Sequence, residues 1–275
     1  MIERIARAKL NLALHVRARR SDGYHAIETL FAFVEHGDVL RVAPGAGRFA
    51  VTGAFAAGLD AEPDNLVLRA ERAFRDRIAP LPPLDITLDK RLPVASGIGG
   101  GSADAAAMLA ICADLAGIEG DDPRLFALAD ALGSDVPACL FGRNALGTGR
   151  GERLTEIAAA SGTPVLLVNP GVPVATAEVF ARWDGTDRGP IAPGDLIEAA
   201  AASRNDLEAP ARAIAPAIGE VLVWLASQPG VRLARMSGSG ATCFALFDDS
   251  AACSKAAGIV GATQPGWWCA ETALT

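Results

Sequence analysis

PVASGIGGGSADAAA, residues 93–107, is the stretch from which the fold is read. Upstream, Leu84, Ile86 and Leu88 alternate with Asp85, Thr87 and Asp89, the period-two pattern of a half-buried strand. Downstream, residues 102–117 are an alanine-rich run of helix formers closed by Gly117. The order is therefore strand, glycine loop, helix. Gly97, Gly99, Gly100 and Gly101 permit positive φ and leave backbone N–H groups uncovered, so a large anion can approach the main chain. The helix start adds unpaired N–H groups and the positive end of its dipole. This is the pattern of a phosphate cradle; the plainer alternative is a flexible turn with Ser102 as N-cap.

Neither standard phosphate template fits. A Walker loop needs Gly-Lys-Ser/Thr entering the helix, and no lysine stands there. A Rossmann fingerprint needs glycine where Ser102 sits and an acidic residue about 20 positions on, after a second strand. Asp121 and Asp122 lie near that distance but follow a helix.

The 275 residues are enough for two domains, and PVLLVN at 164–169 reads as a new start, which puts a boundary near residue 155. With 51% hydrophobic residues the chain is globular, and no apolar run reaches the roughly 18 residues that span a bilayer. Arg4, Arg7 and Lys9 precede a short apolar run broken by Asn11 with no small-residue cleavage site, a first strand rather than a signal, so the cytoplasm is expected. The five cysteines are scattered without a CxxC pair and read as buried hydrophobes of a reduced compartment, and the three histidines form no metal cage. A net charge of −7 argues against a general nucleic-acid binder. Only three basic residues are lysine, so Lys9, Lys90 and Lys255 each invite a reason, and Tyr24 is the only tyrosine.

In order, residues 2–16 read as a strand interrupted near Ala8, with Lys9 and Asn11 sharing the face opposite Leu10, Leu12 and Leu14. Lys9 is then either a solvated strand lysine or a functional ammonium. RARRSDG at 17–23 turns a hairpin, and Tyr24-His25 at its tip offers an aromatic plate and a hydrogen-bonding edge, or else a half-buried strand aromatic. Residues 36–58 read as two short strands around Pro44-Gly45, and 66–78 as a helix capped by Asp64-Asn65. A helix at 124–132 ends at Gly133, where GSDVP presents Asp135 as a base or as a simple N-cap. Helices at 196–203 and 210–228 precede a second loop, MSGSG at 236–240, which leads into a strand at 242–247; a short helix at 254–261 and a last strand follow.

AKLNL at 8–12, DGYHAIETLF at 22–31, the glycine loop, GSDVPACL at 133–140, Asn205-Asp206-Leu207 and MSGSGATCF at 236–244 together resemble the GHMP family of small-molecule kinases. The resemblance runs end to end, and DGYH points to the branch that phosphorylates a hydroxyl of a cytidine diphosphate-linked polyol. It implies an α/β (α+β) fold of two domains, 1–155 of ribosomal S5 type and 156–275 ferredoxin-like. It further implies an ATP-binding loop of Pro93, Val94, Ala95, Ser96, Gly97, Ile98, Gly99, Gly100, Gly101, Ser102 and Ala103, with Mg2+ accompanying the nucleotide. Lys9 and Asp135 take the catalytic positions; Asn11, Tyr24, His25 and Thr176 take substrate-binding ones. Relatives often carry a second serine where this chain has Ala103, and glycine where it has Ala95. A soluble monomer or weak homodimer, with no membrane or nucleic-acid partner, is expected. A mevalonate- or homoserine-type acceptor and a non-catalytic nucleotide-binding module stay open.

Overall fold

The computed structural model describes residues 1–57, 59, 64–158 and 160–275. Its first half contains β1 (Ile2–Arg19), β2 (His25–Pro44), β3 (Phe49–Thr52), α1 (Leu66–Arg77), β4 (Leu84–Asp89), α2 (Gly100–Ala116), α3 (Pro123–Leu132) and α4 (Val136–Phe141). There follow β5 (Ala145–Gly149), β6 (Arg153–Glu156), β7 (Pro164–Asn169), α5 (Thr176–Ala181), α6 (Leu196–Ala201), α7 (Glu208–Ile214) and α8 (Ala217–Ala226). The last elements are β8 (Val231–Met236), β9 (Cys243–Phe247), α9 (Ser250–Thr263) and β10 (Trp268–Ala273).

The chain forms two compact units that interleave in sequence. The first comprises Met1–Ala8, Gly37–Val94 and Gly99–Gly142; the second comprises Lys9–His36, Ala95–Ile98 and Arg143–Thr275. The boundary expected at residue 155 falls inside β6, and β1 and β2 each supply residues to both units. Because the units alternate along the chain, no single cut separates them.

In the first unit the far part of β2 pairs antiparallel with β4, Val39 opposite Asp89 and Pro44 opposite Leu84, and β3 lies parallel to β4. Leu84, Ile86 and Leu88 point inward, as their alternation predicts. They pack with Leu40, Val42, Val67, Phe74 and the alanines and Met108 of α2. The small alanine side chains let the middle of α2, from Ala103 to Ala113, be buried on most sides. Asn65 caps α1 by accepting from the Val67 amide at 2.9 Å. The first of the two short strands expected over 36–58 is the continuation of β2, which runs unbroken through Gly37. A Cβ there would stand 2.2 Å from the Ala6 carbonyl oxygen, so the glycine admits β1 rather than ending β2. β1 likewise passes Ala8 without interruption.

In the second unit the near part of β2 pairs with β5, Ile27 opposite Gly149, and β5 turns back into β6. A separate sheet has the order β10-β7-β9-β8, antiparallel throughout. With helices after β7 and between β9 and β10, this is the β-α-β-β-α-β arrangement of ferredoxin-like domains. The helix expected over 210–228 is two helices, α7 and α8, because Pro216 lacks the amide that would continue the ladder. The helix expected at 254–261 begins earlier, at Ser250, where Asp249 accepts from the Ala252 amide at 2.8 Å.

Candidate active site

Gly99 is the N-cap of α2, at φ 68°, so the helix begins two residues earlier than the sequence suggests. Ser102 lies in the first turn and is not the cap. The first intrahelical bond runs from the Ala103 amide to the Gly99 carbonyl at 2.8 Å. Helix geometry therefore leaves the amides of Gly99, Gly100, Gly101 and Ser102 without intrahelical acceptors, with no side chain on the N-cap residue to cap them and the dipole behind them. Such an end is suited to receive an anion.

The tip of the same loop belongs to the second unit, where MSGSG seats it. Ser237 Oγ donates to the Gly97 carbonyl at 3.0 Å, the Thr242 amide to Ser96 O at 3.0 Å, and the Lys9 amide to Ile98 O at 3.0 Å. A Cβ on Gly97 would lie 2.6 Å from the carbonyls of Ser237 and Gly240, and one on Gly238 would lie 2.9 Å from Gly97 O. Both glycines have positive φ, so conformation and space exclude a side chain together. Ala95 sits at φ 51°, a left-handed position that suits glycine. Val94 is exposed, whereas Ile98 and Ser96 are buried.

Lys9 is 2% exposed, which rules out a solvated strand lysine. Its ammonium donates to Asn11 Oδ1 at 2.9 Å and lies 5.2 Å from the centre of the Phe31 ring. Asn11 is held in turn: its amide group donates to Thr29 Oγ1 at 2.7 Å and its backbone N–H to Ser237 Oγ at 3.1 Å. The shared face read from strand parity is thus a bonded pair. The Asn205 side chain donates to Met236 O and Gly238 O at 2.8 Å each, and Asp206 accepts from the Val16 amide at 2.8 Å, so Asn205-Asp206-Leu207 ties MSGSG to β1.

Tyr24 is 51% exposed, with the Arg150 guanidinium 5.0 Å from its ring centre. His25 stacks on Phe180 with centroids 4.9 Å apart and meets Trp183 edge-on at 5.7 Å. Its Nε2 is buried without a hydrogen-bond partner. Burial, and then the Arg19 cation, hold the imidazole below its ordinary pKa, so it is neutral at pH 7. Thr176 Oγ1 lies 2.9 Å from Ser239 Oγ. Phe180 and Trp183 escaped the sequence reading; the signal was an aromatic pair three residues apart, at and just beyond the end of α5.

Asp135 occupies the N-cap position of α4 but makes no side-chain capping bond, so the simple cap reading fails. It belongs to the first unit with α2, whereas Lys9, Asn11, Tyr24, His25 and Thr176 belong to the second.

Residues 65–143 match the family model described as GHMP kinases N terminal domain, and residues 189–263 match GHMP kinases C terminal. The chain is 56% identical to a 4-diphosphocytidyl-2-C-methyl-D-erythritol kinase of Rhizorhabdus wittichii, over 96% of this chain and 92% of that one. It is 51% identical to the enzyme of the same name from Sphingopyxis alaskensis, over 97% and 96%. A crystal structure of 4-(cytidine 5'-diphospho)-2C-methyl-D-erythritol kinase superimposes with a TM-score of 0.85 at 36% identity, covering 99% of both chains. The L. major mevalonate kinase, at 16% identity and a TM-score of 0.70, shares the fold. The two-domain α/β architecture and these matches agree, and the chain belongs to the GHMP kinase family of ATP-dependent small-molecule kinases.

Proposed function

We propose that the chain transfers the γ-phosphoryl group of ATP to the 2-hydroxyl of 4-diphosphocytidyl-2-C-methyl-D-erythritol, a step of the non-mevalonate route to isoprenoid precursors. The observation that carries the choice of acceptor is His25: a neutral, partly buried imidazole with an unpartnered Nε2, beside the exposed Tyr24 ring and stacked on Phe180. A flat, hydrogen-bonding base such as cytosine supplies what this arrangement lacks, a ring for the aromatic faces and an edge for the imidazole. The relatives at 56% and 51% identity, and the crystal structure at 36%, are kinases of the same diphosphocytidyl alcohol by name, which supports this acceptor.

ATP supplies the activated phosphoryl group, with Mg2+ as the counter-ion of its phosphates. Among the described residues no three His, Cys, Asp or Glu side chains stand together as a ready-made metal cage, and no step is assigned to the metal. In the proposed mechanism the amides of Gly99, Gly100, Gly101 and Ser102 receive the phosphates, and the residues of 93–98 complete the loop around them. Asp135 accepts the proton of the attacking hydroxyl, and the Lys9 ammonium offsets charge developing on the reacting oxygens. Asn11 orients Lys9 at 2.9 Å, and Thr176 lines the acceptor site with Ser239. Among the described residues no helix is long and apolar enough to cross a membrane, and the cytoplasm is proposed as the place of action.

The test is turnover of ATP with a panel of alcohols. ADP release should require the diphosphocytidyl alcohol; release with mevalonate or homoserine instead would sink the reading. Asp135→Asn should lower kcat by about 100-fold or more while ATP affinity stays within about twofold. Equal loss of both would leave Asp135 a structural residue.

A further inference from the structure

Lys90, Asp38 and Asp104 form a buried ionic cluster in the first unit that no step above uses. The Lys90 ammonium donates to Asp38 Oδ2 and, at 2.8 Å, to Asp104 Oδ2. The three side chains are 5%, 0% and 4% exposed, respectively. Burial works against the charge on Lys90, but Asp104 and Asp38 outweigh it and hold the ammonium above its ordinary pKa. Taking ions out of water costs several kcal/mol each, and apolar side chains of equal volume commonly stabilise as well. Stability alone does not account for the cluster.

What its members grip does. Asp38 Oδ1 accepts from the amides of Arg91 at 2.6 Å and Leu92 at 2.9 Å, where the chain runs into the glycine loop. Asp104 lies on α2 one turn beyond Gly100, where the chain leaves that loop. The second oxygen of Asp104 is buried without a hydrogen-bond partner, so Lys90 is what holds this carboxylate. A Cβ on Gly100 would stand 3.5 Å from Lys90 Nζ, so the ammonium lies directly under the first helical turn. One cation therefore spans both ends of the loop.

We propose that Lys90 is a positioning residue for the nucleotide: with Asp38 and Asp104 it clamps the ends of the glycine loop and so sets where the first-turn amides of α2 meet the phosphates. The proposal rests on the reading of the loop as the ATP site. Donors of this kind act only when held within about 0.5 Å of the productive geometry, and a rigid clamp across the loop supplies that.

Lys90→Met alone strands two buried carboxylates, so the deciding variant is Lys90→Met/Asp38→Asn/Asp104→Asn, which removes all three charges at nearly constant volume. ATP binding is measured by calorimetry without the alcohol, together with KM for each substrate and amide hydrogen exchange over residues 91–104. The folded variant should bind ATP about tenfold or more weakly, keep KM for the alcohol within about twofold, and exchange faster in 91–104 while β9 stays protected. A folded variant with parental ATP affinity and parental exchange would overturn the proposal. If the triple variant fails to fold, Asp104→Asn decides: it frees only the outgoing end, so faster exchange confined to residues 99–104 supports the clamp and unchanged exchange refutes it. If the unaltered protein binds no ATP, the phosphate reading fails by itself, and exchange over 91–104 still decides the clamp.

Discussion

At its two ends the glycine loop is tied by buried ions, Asp38 to Lys90 to Asp104, whereas at its tip it is tied by neutral groups, Ser237 Oγ and the amides of Thr242 and Lys9. The ends tolerate changes of shape better than changes of charge, because an ion left without its partner in a low-dielectric interior is costly. The tip is the reverse. Its bonds carry no net charge, but Gly97 and Gly238 meet backbone at distances that admit no side chain. One loop thus meets two different physical limits, electrostatic at its roots and steric at its crest.

The strongest way to break this comparison is to add volume at the tip. Gly97→Ala puts a Cβ 2.6 Å from two carbonyls at a positive φ, and should cost on the order of 2–5 kcal/mol in urea unfolding with ATP turnover lost. A loss under about 1 kcal/mol would mean that the seat yields and the steric limit is illusory.

The second prediction uses pH, which should move the ends and leave the tip alone. Burial, reinforced by Asp38 and opposed by Lys90, pushes the Asp104 carboxyl up to about 7. The folded state therefore binds more protons than the unfolded state between about pH 4 and pH 7, and this group's contribution to stability falls as pH rises through that window. Asp104→Asn removes the titration, so the variant should gain on the parent by up to about 1 kcal/mol per pH unit between pH 5 and pH 7. Parallel pH profiles from denaturant melts would show that the ends carry no such titration.

The smallest effect is expected at Ala95, whose φ of 51° costs a non-glycine residue energy. Ala95→Gly relieves that strain but adds freedom to the unfolded chain, leaving a net gain of about 0.5 kcal/mol in thermal unfolding. A net loss would show that the Ala95 methyl packs against something that offsets its strain.

Much of this was legible in the residues. Alternation placed β4, composition placed α2, and parity put Lys9 and Asn11 on one face, since each depends on neighbours near in sequence. What stayed hidden depends on partners far away. Lys90 stood out as a rare lysine, but nothing local says that its partners are Asp38, 52 positions upstream, and Asp104. The reason for a glycine at 37 is equally hidden, because the Ala6 backbone it admits is distant in the chain. Phe180 and Trp183 escaped notice because the ring they pack against, His25, is distant in the chain.

The interleaving of the two units also bears on how the molecule is made. Leu14 bridges Asn205, Val34 bridges Leu274, and the Thr275 amide donates to Phe33 O at 2.9 Å. These residues of β1 and β2 thus wait, partly unpaired, for segments that are synthesised roughly 190 to 240 positions after them. A gene cut between β6 and β7 would keep each sheet whole and still sever Leu14 from Asn205 and Val34 from Leu274, so the two halves are best engineered as one cassette.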